Sequence, residues 1–176
     1  DFAELWPERF HNVTNGVTPR RFMVVANPRL AQLITQTCGH EDWIRDLERL
    51  RELEAHVDDS GLQEHWRVVK RAAKQDLAAW MKQATGIQLD PDTLFDVQAK
   101  RFHEYKRQHL KVLHIIRCYQ RIKQGQPQEL VPRAFIFGGK AAPGYFMAKL
   151  IIKLINAVGA VINNDPQVNG WIRVAF

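Results

Sequence analysis

The first half of the chain carries its apolar residues at helical spacing. Asn27 and Pro28, in cap-then-proline order, open a helix that runs to about Cys38 and is closed by Gly39. Ile44, Leu47, Leu50 and Leu53, at three-residue steps from about Glu41, predict a second helix. Asp59 and Ser60 start a third, with Ser60 and Gln63 as a capping-box pair. Its face is Leu62, Trp66, Val69, Ala73, Leu77 and Trp80, and Gly86 stops it. The Trp and Leu residues of these helices read as core packing without chemistry.

Beyond Asp90-Pro91 the period changes. Leu94 to Ala99, LFDVQA, alternates apolar and polar residues and predicts a strand. A helix from about Glu104 to Lys123 follows, with Val112, Ile116, Tyr119 and Ile122 as its stripe. AFIFGG, Ala134 to Gly139, is a continuous apolar run suited to a strand buried on both faces. Tyr145 to Val158 predicts a helix that is apolar nearly all round and therefore mostly buried, with Lys149, Lys153 and Asn156 on one narrow face. Trp171 to Phe176 supplies a last strand. The β-α-β-α-β series implies a parallel sheet with right-handed crossovers: an α/β fold, half of a Rossmann-like sheet preceded by helices.

Composition narrows the class. With 176 residues, 45% hydrophobic and 25% charged, the chain lies in the globular range and is long enough to build a core without disulfides or metals. Cys38 and Cys118 are far apart and in no CxxC or His/Cys pattern, which argues against a disulfide framework and a zinc finger and favours a reducing compartment. No apolar run approaches the roughly 18 to 20 residues of a membrane span. The opening DFAELWPERF lacks an initiator Met and a signal pattern, and the closing WIRVAF stops while still apolar. Both ends give the expectation of a piece of a larger polypeptide.

Charge is unevenly placed. Lys and Arg total 25 against 19 Asp and Glu, a formal +6. Lys100 to Lys123 holds eight basic residues and one acid, Glu104, for +7, against 17 basic and 18 acidic residues elsewhere. The densest part, KRFHEYKR at Lys100 to Arg107, falls where the first strand turns into the next helix. In open α/β sheets that carboxyl edge binds ligands, and a helix N-terminus disfavours cations unless an anion joins them. A solvated basic face and a nucleic-acid surface are the alternatives. Against the latter, Phe102 and Tyr105 are too few for a stacking platform, and no RNP-like or GxxG signature accompanies them.

Other motifs fail on their chemistry. Gly138-Gly139-Lys140 resembles the end of a Walker A loop, but Ala134 stands where Gly is needed and Ala141 where Ser or Thr would be. His103-Glu104 could open an HExxH helix, but Arg107 occupies the second histidine position. His109 and His114 are about 140° apart around a helix and do not converge on a metal. No metal is expected.

Three blocks carry a family pattern. NVTNGVTPRRF (Asn12 to Phe22), LFDVQAKRFHEYKRQHL (Leu94 to Leu110) and FGGKAAPGYFMAKLIIKLI (Phe137 to Ile155) resemble, in order and spacing, blocks of the α-glucan phosphorylases, the glycogen, starch and maltodextrin enzymes. The resemblance spans the whole chain. It implies part of a two-domain glycosyltransferase-B fold, with residues 1–26 as the tail of the N-terminal domain and 27–176 as the first part of the C-terminal, cofactor-binding domain. It also implies phosphorolysis of terminal α-1,4-glucosidic bonds to glucose 1-phosphate, with pyridoxal phosphate acting through its 5′-phosphate. The implied partners are an α-1,4-glucan, inorganic phosphate and the rest of the phosphorylase chain, in a cytoplasmic homodimer that binds neither nucleic acid nor membrane.

By the same resemblance, Lys100 lies beside the cofactor phosphate, and Arg101 and Lys106 hold the substrate phosphate. Tyr105 reaches a glucose hydroxyl and Asn15 binds the sugar. Tyr145 matches an aromatic at the mouth of the family's cleft, or packs with no such role. Phe22 stands where many members have Trp. The Gly-Thr-Gly-Asn-Met-Lys stretch that carries the Schiff-base lysine is absent, as is the glycine-rich loop of the N-terminal domain, so the isolated chain is expected to be inactive. The reading from another class is a non-enzymatic module whose basic helix binds nucleic acid or another acidic partner.

Overall fold

A computed structural model describes residues 2–11, 18, 20–128 and 130–176. They form two compact units, Asp1–Ala73 and Lys74–Phe176. The helices are α1 (Phe2–Leu5), α2 (Pro28–Cys38), α3 (Ser60–Thr85), α4 (Gln108–Lys123) and α5 (Phe146–Asn163); the strands are β1 (Leu94–Ala99), β2 (Arg133–Gly138) and β3 (Ile172–Ala175).

In the first unit α2 has the expected ends. The Asn27 side chain accepts from the Leu30 N–H (3.2 Å), and Gly39 closes the helix in the left-handed region at φ 80°. The core here is Ala31, Ile34 and the fully buried Trp43, whose Nε1 donates to Thr35 Oγ1 (3.0 Å). The helix expected from Glu41 is instead a pair of 3-10 segments, Asp42–Ile44 and Leu47–His56. Its leucines recur at strict three-residue steps, and a 3-10 helix of three residues per turn aligns them where an α-helix would not. α3 begins as expected, but Asp59 is its cap: Oδ1 accepts from the Gly61 (2.7 Å) and Leu62 (3.2 Å) N–H groups. Gln63 donates outward to the Val57 carbonyl (2.9 Å), so no Ser60–Gln63 box forms. A carboxylate at Asp59 also complements the positive end of the helix, which the Ser60 hydroxyl cannot. Trp66 and Trp80 are 43% and 60% exposed, so the tryptophans of this face lie outside the core, while Leu62, Val69, Ala73 and Leu77 are half-buried.

The second unit is built on a three-stranded parallel sheet in the order β1-β2-β3. β2 lies in the middle, which is why Ala134 to Phe137 are all buried. Its side chains alternate between two layers. Phe135 and Phe137, with Ile172 and Val174, meet Val112, Ile115 and Cys118 of α4 and Ala148, Ile151 and Ile155 of α5. Ala134 and Ile136 face Leu77 and Met81 of α3. Both crossover helices thus cover one face, as crossovers of uniform hand require. Each fully buried Phe contributes about 1.5–3 kcal/mol.

α4 starts later than expected. Glu104–Lys106 is a separate 3-10 turn, and Arg107 at φ 53° breaks the helical path before Gln108. The buried stripe is Gln108, Val112, Ile115, Cys118 and Ile122, with Ile116 and Tyr119 only partly buried. α5 runs on to Asn163 and buries only Ala148, Ile151, Ile155, Gly159 and Ile162. Phe146, Met147, Leu150, Leu154 and Val161 remain exposed, contrary to the expected burial, because a helix on one sheet face covers only one of its own sides. At 18 residues it is also long and apolar enough to cross a membrane by length and composition, which the sequence reading excludes. Its seat between β2 and β3 makes it a core crossover helix. The outer edge of β3 is not bare: the Asn163 carboxamide donates to Val174 O (2.7 Å) and accepts from Val174 N (3.0 Å).

One polar contact ties α4 to the segment before β3. Asp165 accepts from Lys123 Nζ (2.9 Å), Tyr119 Oη (2.8 Å) and the Gln167 N–H (2.9 Å). Lys123 first, then Tyr119 and the backbone, lower its pKa from 3.8 to about 2. A carboxyl depressed on folding stabilises the fold fully above pH 3.8 and loses that contribution as pH falls towards 2. Asp165→Asn should therefore lower the urea midpoint near neutrality, and its deficit against wild type should shrink across that window. A deficit constant from pH 6 to pH 2 contradicts this assignment.

Candidate functional site

The chain leaves β1 and β2 side by side, because Ala99 and Gly138 are register partners. Pairing continues past the strands: Lys100 N–H donates to Gly138 O (2.8 Å), and Phe102 N–H to Lys140 O (3.0 Å). Gly139, between them, has φ 156°, and a Cβ there would collide with the Lys100 carbonyl. Phe102 is buried and meets the Phe176 ring edge-on at 5.4 Å, anchoring the first loop. The two loops are joined again at Tyr145. Its hydroxyl donates to Glu104 Oε2 (2.7 Å), accepts from Glu104 N–H (3.2 Å) and lies 3.3 Å from His103 Nδ1. The Glu104 N–H pulls the phenol pKa down, but the carboxylate holding its proton, with desolvation and charge, outweighs this and leaves it raised.

Between the loops lies a cleft of about 540 Å³ lined by Arg101, Tyr105, Lys106, Lys140 and Tyr145, among others. Arg101 and Tyr105 are exposed and Lys106 is half-buried, its Nζ 5.7 Å from the Tyr105 ring centre. Lys100 is exposed at the end of β1 and does not line the cleft. Asn15 lies outside the described residues. The basic cluster precedes α4, so only Arg107, the residue flanking the first turn, meets the positive end of that helix.

Two cations of the basic run are matched within the unit. Lys111 pairs with Asp96 and Lys123 with Asp165, each tying α4 to the rest of the unit. Among the described residues, Lys100, Arg101, Lys106 and Lys140 have no ion-pair partner. The one acid of the run, Glu104, is engaged by Tyr145. Cations sharing a cleft repel each other, and an anion placed between them relieves the repulsion and accepts charge-assisted hydrogen bonds. A second cleft, about 490 Å³, lies at the opposite end of the sheet between Asp90, Arg133 and Arg173. Its arginines are already committed to carbonyls: Arg173 donates to Asn163 O (2.6 Å) and Arg133 to Val131 O (3.2 Å). It therefore offers less to an anion.

Two participants escape a reading of the sequence. Lys140 joins the cleft only because β2 ends beside β1, which spacing does not reveal. Gln108 is fully buried, donates to Arg101 O (3.1 Å) and accepts from His103 N–H (3.5 Å). Its signal was available: Gln108, Val112, Ile115 and Ile122 fall on one helical face, a polar residue on an apolar stripe. Groups of His, Cys, Asp or Glu able to hold a metal are absent among the described residues.

The family model for carbohydrate phosphorylases matches residues 1–176. The chain belongs to the carbohydrate phosphorylase family. It is 55% identical over all 176 residues to the glycogen phosphorylase of Synechocystis sp., covering 21% of that protein. Against glycogen phosphorylase 2 of Dictyostelium discoideum it is 51% identical over 99% of its length, covering 17% of that protein. Against the muscle form from Oryctolagus cuniculus it is 49% identical over its whole length, covering 21%. This phosphorylase chain thus spans about a fifth of the length of these relatives, and the paired loops lie within that fifth.

The geometry of this phosphorylase segment makes Gly139 its least replaceable loop residue. Gly139→Ala should destabilise the second unit by about 2 kcal/mol or more, since the Lys100 carbonyl must move aside and disturb the pairing that the Lys100 and Phe102 N–H groups make. Chemical unfolding of the chain checks this; an unchanged midpoint would show that the loops are not locked together.

Proposed function

We propose that the chain is the part of an α-glucan phosphorylase that supplies the anion-binding wall of its active cleft, within a glycosyltransferase-B arrangement whose domain boundary falls at 26/27. The supporting observation is the set of cations without ion-pair partners gathered at the carboxyl ends of β1 and β2. Arg101 and Lys106 hold the substrate phosphate, Arg by a bidentate fork and Lys as a mobile point charge. Lys100, at the strand end just outside the cleft wall, faces the phosphate of the cofactor, pyridoxal phosphate. Tyr105 contacts a glucose hydroxyl, and Asn15 contributes to the sugar site.

The residues present fit the phosphate end of that cofactor, because cations without carboxylate partners are the donors a dianion needs; the covalent lysine is not in this stretch. Bound pyridoxal phosphate supplies a second phosphate group beside the substrate phosphate. The chain's own cations offset the repulsion between the two dianions. They also stabilise charge on the substrate phosphate while a proton passes to the glycosidic oxygen and an oxocarbenium-like sugar develops. The whole enzyme is a cytoplasmic homodimer acting on a glucan. The isolated chain forms no glucose 1-phosphate.

Calorimetric titration of the chain with inorganic phosphate, pyridoxal phosphate and a random oligonucleotide tests the reading. Phosphate and pyridoxal phosphate should bind, and Arg101→Ala should weaken phosphate binding about tenfold or more with the unfolding midpoint unchanged. Tight, salt-steep oligonucleotide binding with no phosphate response would favour a nucleic-acid module instead.

A further inference from the structure

Gln108 is the single fully buried polar side chain among the described residues. It sits on the stripe of α4 with Val112 and Ile115, where a leucine would pack without burying an amide. What leucine cannot do is what the carboxamide does. Nε2 donates to Arg101 O and Oε1 accepts from His103 N–H, the two groups that flank Phe102. The amide therefore acts as a one-residue neighbouring strand. Along the other edge of the same segment, Phe102 N–H is taken by Lys140 O. Three consecutive residues are thus held from both sides in an extended path, with His103 at φ −160° and ψ 147°. In an extended segment successive side chains alternate. Phe102 goes into the core, and Arg101 and His103 are exposed on the other side.

We infer that Gln108 is a positioning residue of the anion cleft: without touching the anion, it fixes the backbone from which Arg101 reaches it. The inference rests on the reading of the cleft as a phosphate site. A neutral amide suits the task. A carboxylate at this position would face the Arg101 carbonyl with no donor and would cancel part of the cleft's positive charge.

Sulfate, a dianion of fixed charge near neutral pH, is the probe, titrated calorimetrically into the 176-residue chain. Gln108→Met keeps the volume and removes both hydrogen bonds. Its sulfate dissociation constant should rise about tenfold, and the His103 amide should exchange faster with solvent while the Val112 amide in α4 does not. Ile115→Val, on the same stripe, loses core packing and should lower the unfolding midpoint while leaving sulfate affinity at the wild-type value. Sulfate binding by Gln108→Met at wild-type strength overturns the inference, as does an equal loss in Ile115→Val. Absence of sulfate binding by the wild-type chain overturns the cleft reading, and the inference with it.

Discussion

The site depends on a backbone pairing that outlasts the sheet. β1 and β2 stop at Ala99 and Gly138, yet Lys100 and Phe102 continue to bond to Gly138 and Lys140. This continuation is possible because position 139 has no Cβ to meet the Lys100 carbonyl. Two loops that would otherwise diverge become the two walls of one cleft. Buried Phe102 below and Tyr145 across the gap keep them there. Arg101 and Lys140, 39 residues apart in sequence, lie in the loops that follow β1 and β2 and share a cleft only through this pairing.

Charge follows the same division between scaffold and site. A run carrying +7 is costly to concentrate unless its members have distinct partners. Lys111 and Lys123 spend their charge inside the unit, on Asp96 and Asp165, and contribute to holding α4 in place. The cations on and beside the loops have no such partner among the described residues, and Glu104 is diverted to Tyr145. The result is a helix anchored through Lys111 and Lys123 and a cleft whose cations have no carboxylate to answer them. That imbalance is the physical content of the proposed phosphate site, and it is local enough to lie within the fifth of a phosphorylase that this chain spans.

Much of this was legible in the residues. Continuous burial of Ala134 to Phe137, alternation in LFDVQA and the intervening helices gave the parallel α/β sheet, and the three blocks gave the family. What periodicity could not supply were decisions made by single residues. Arg107 adopts a left-handed conformation that ends a 3-10 turn and delays α4, which non-glycine residues seldom do. Leu47, Leu50 and Leu53 drift around an α-helix but align at three residues per turn, and the tighter helix formed. α5 is expected to be mostly buried and is not, because composition reports how apolar a helix is and not how many of its sides find a neighbour. Lys140 and Gln108 act through tertiary contacts, which leave a trace in sequence only as a polar residue on an apolar stripe.

In the proposed phosphate site one cleft, and not the basic helix as a whole, receives the anion. Backbone amide shifts of the isotope-labelled chain, followed by NMR as inorganic phosphate is added, test it most directly. Saturable changes should be confined to residues 100–106 and 139–145, with Arg117 and Arg121 of α4 unmoved. Changes spread along α4 through Arg117 and Arg121, with none at Arg101 or Lys140, would contradict it.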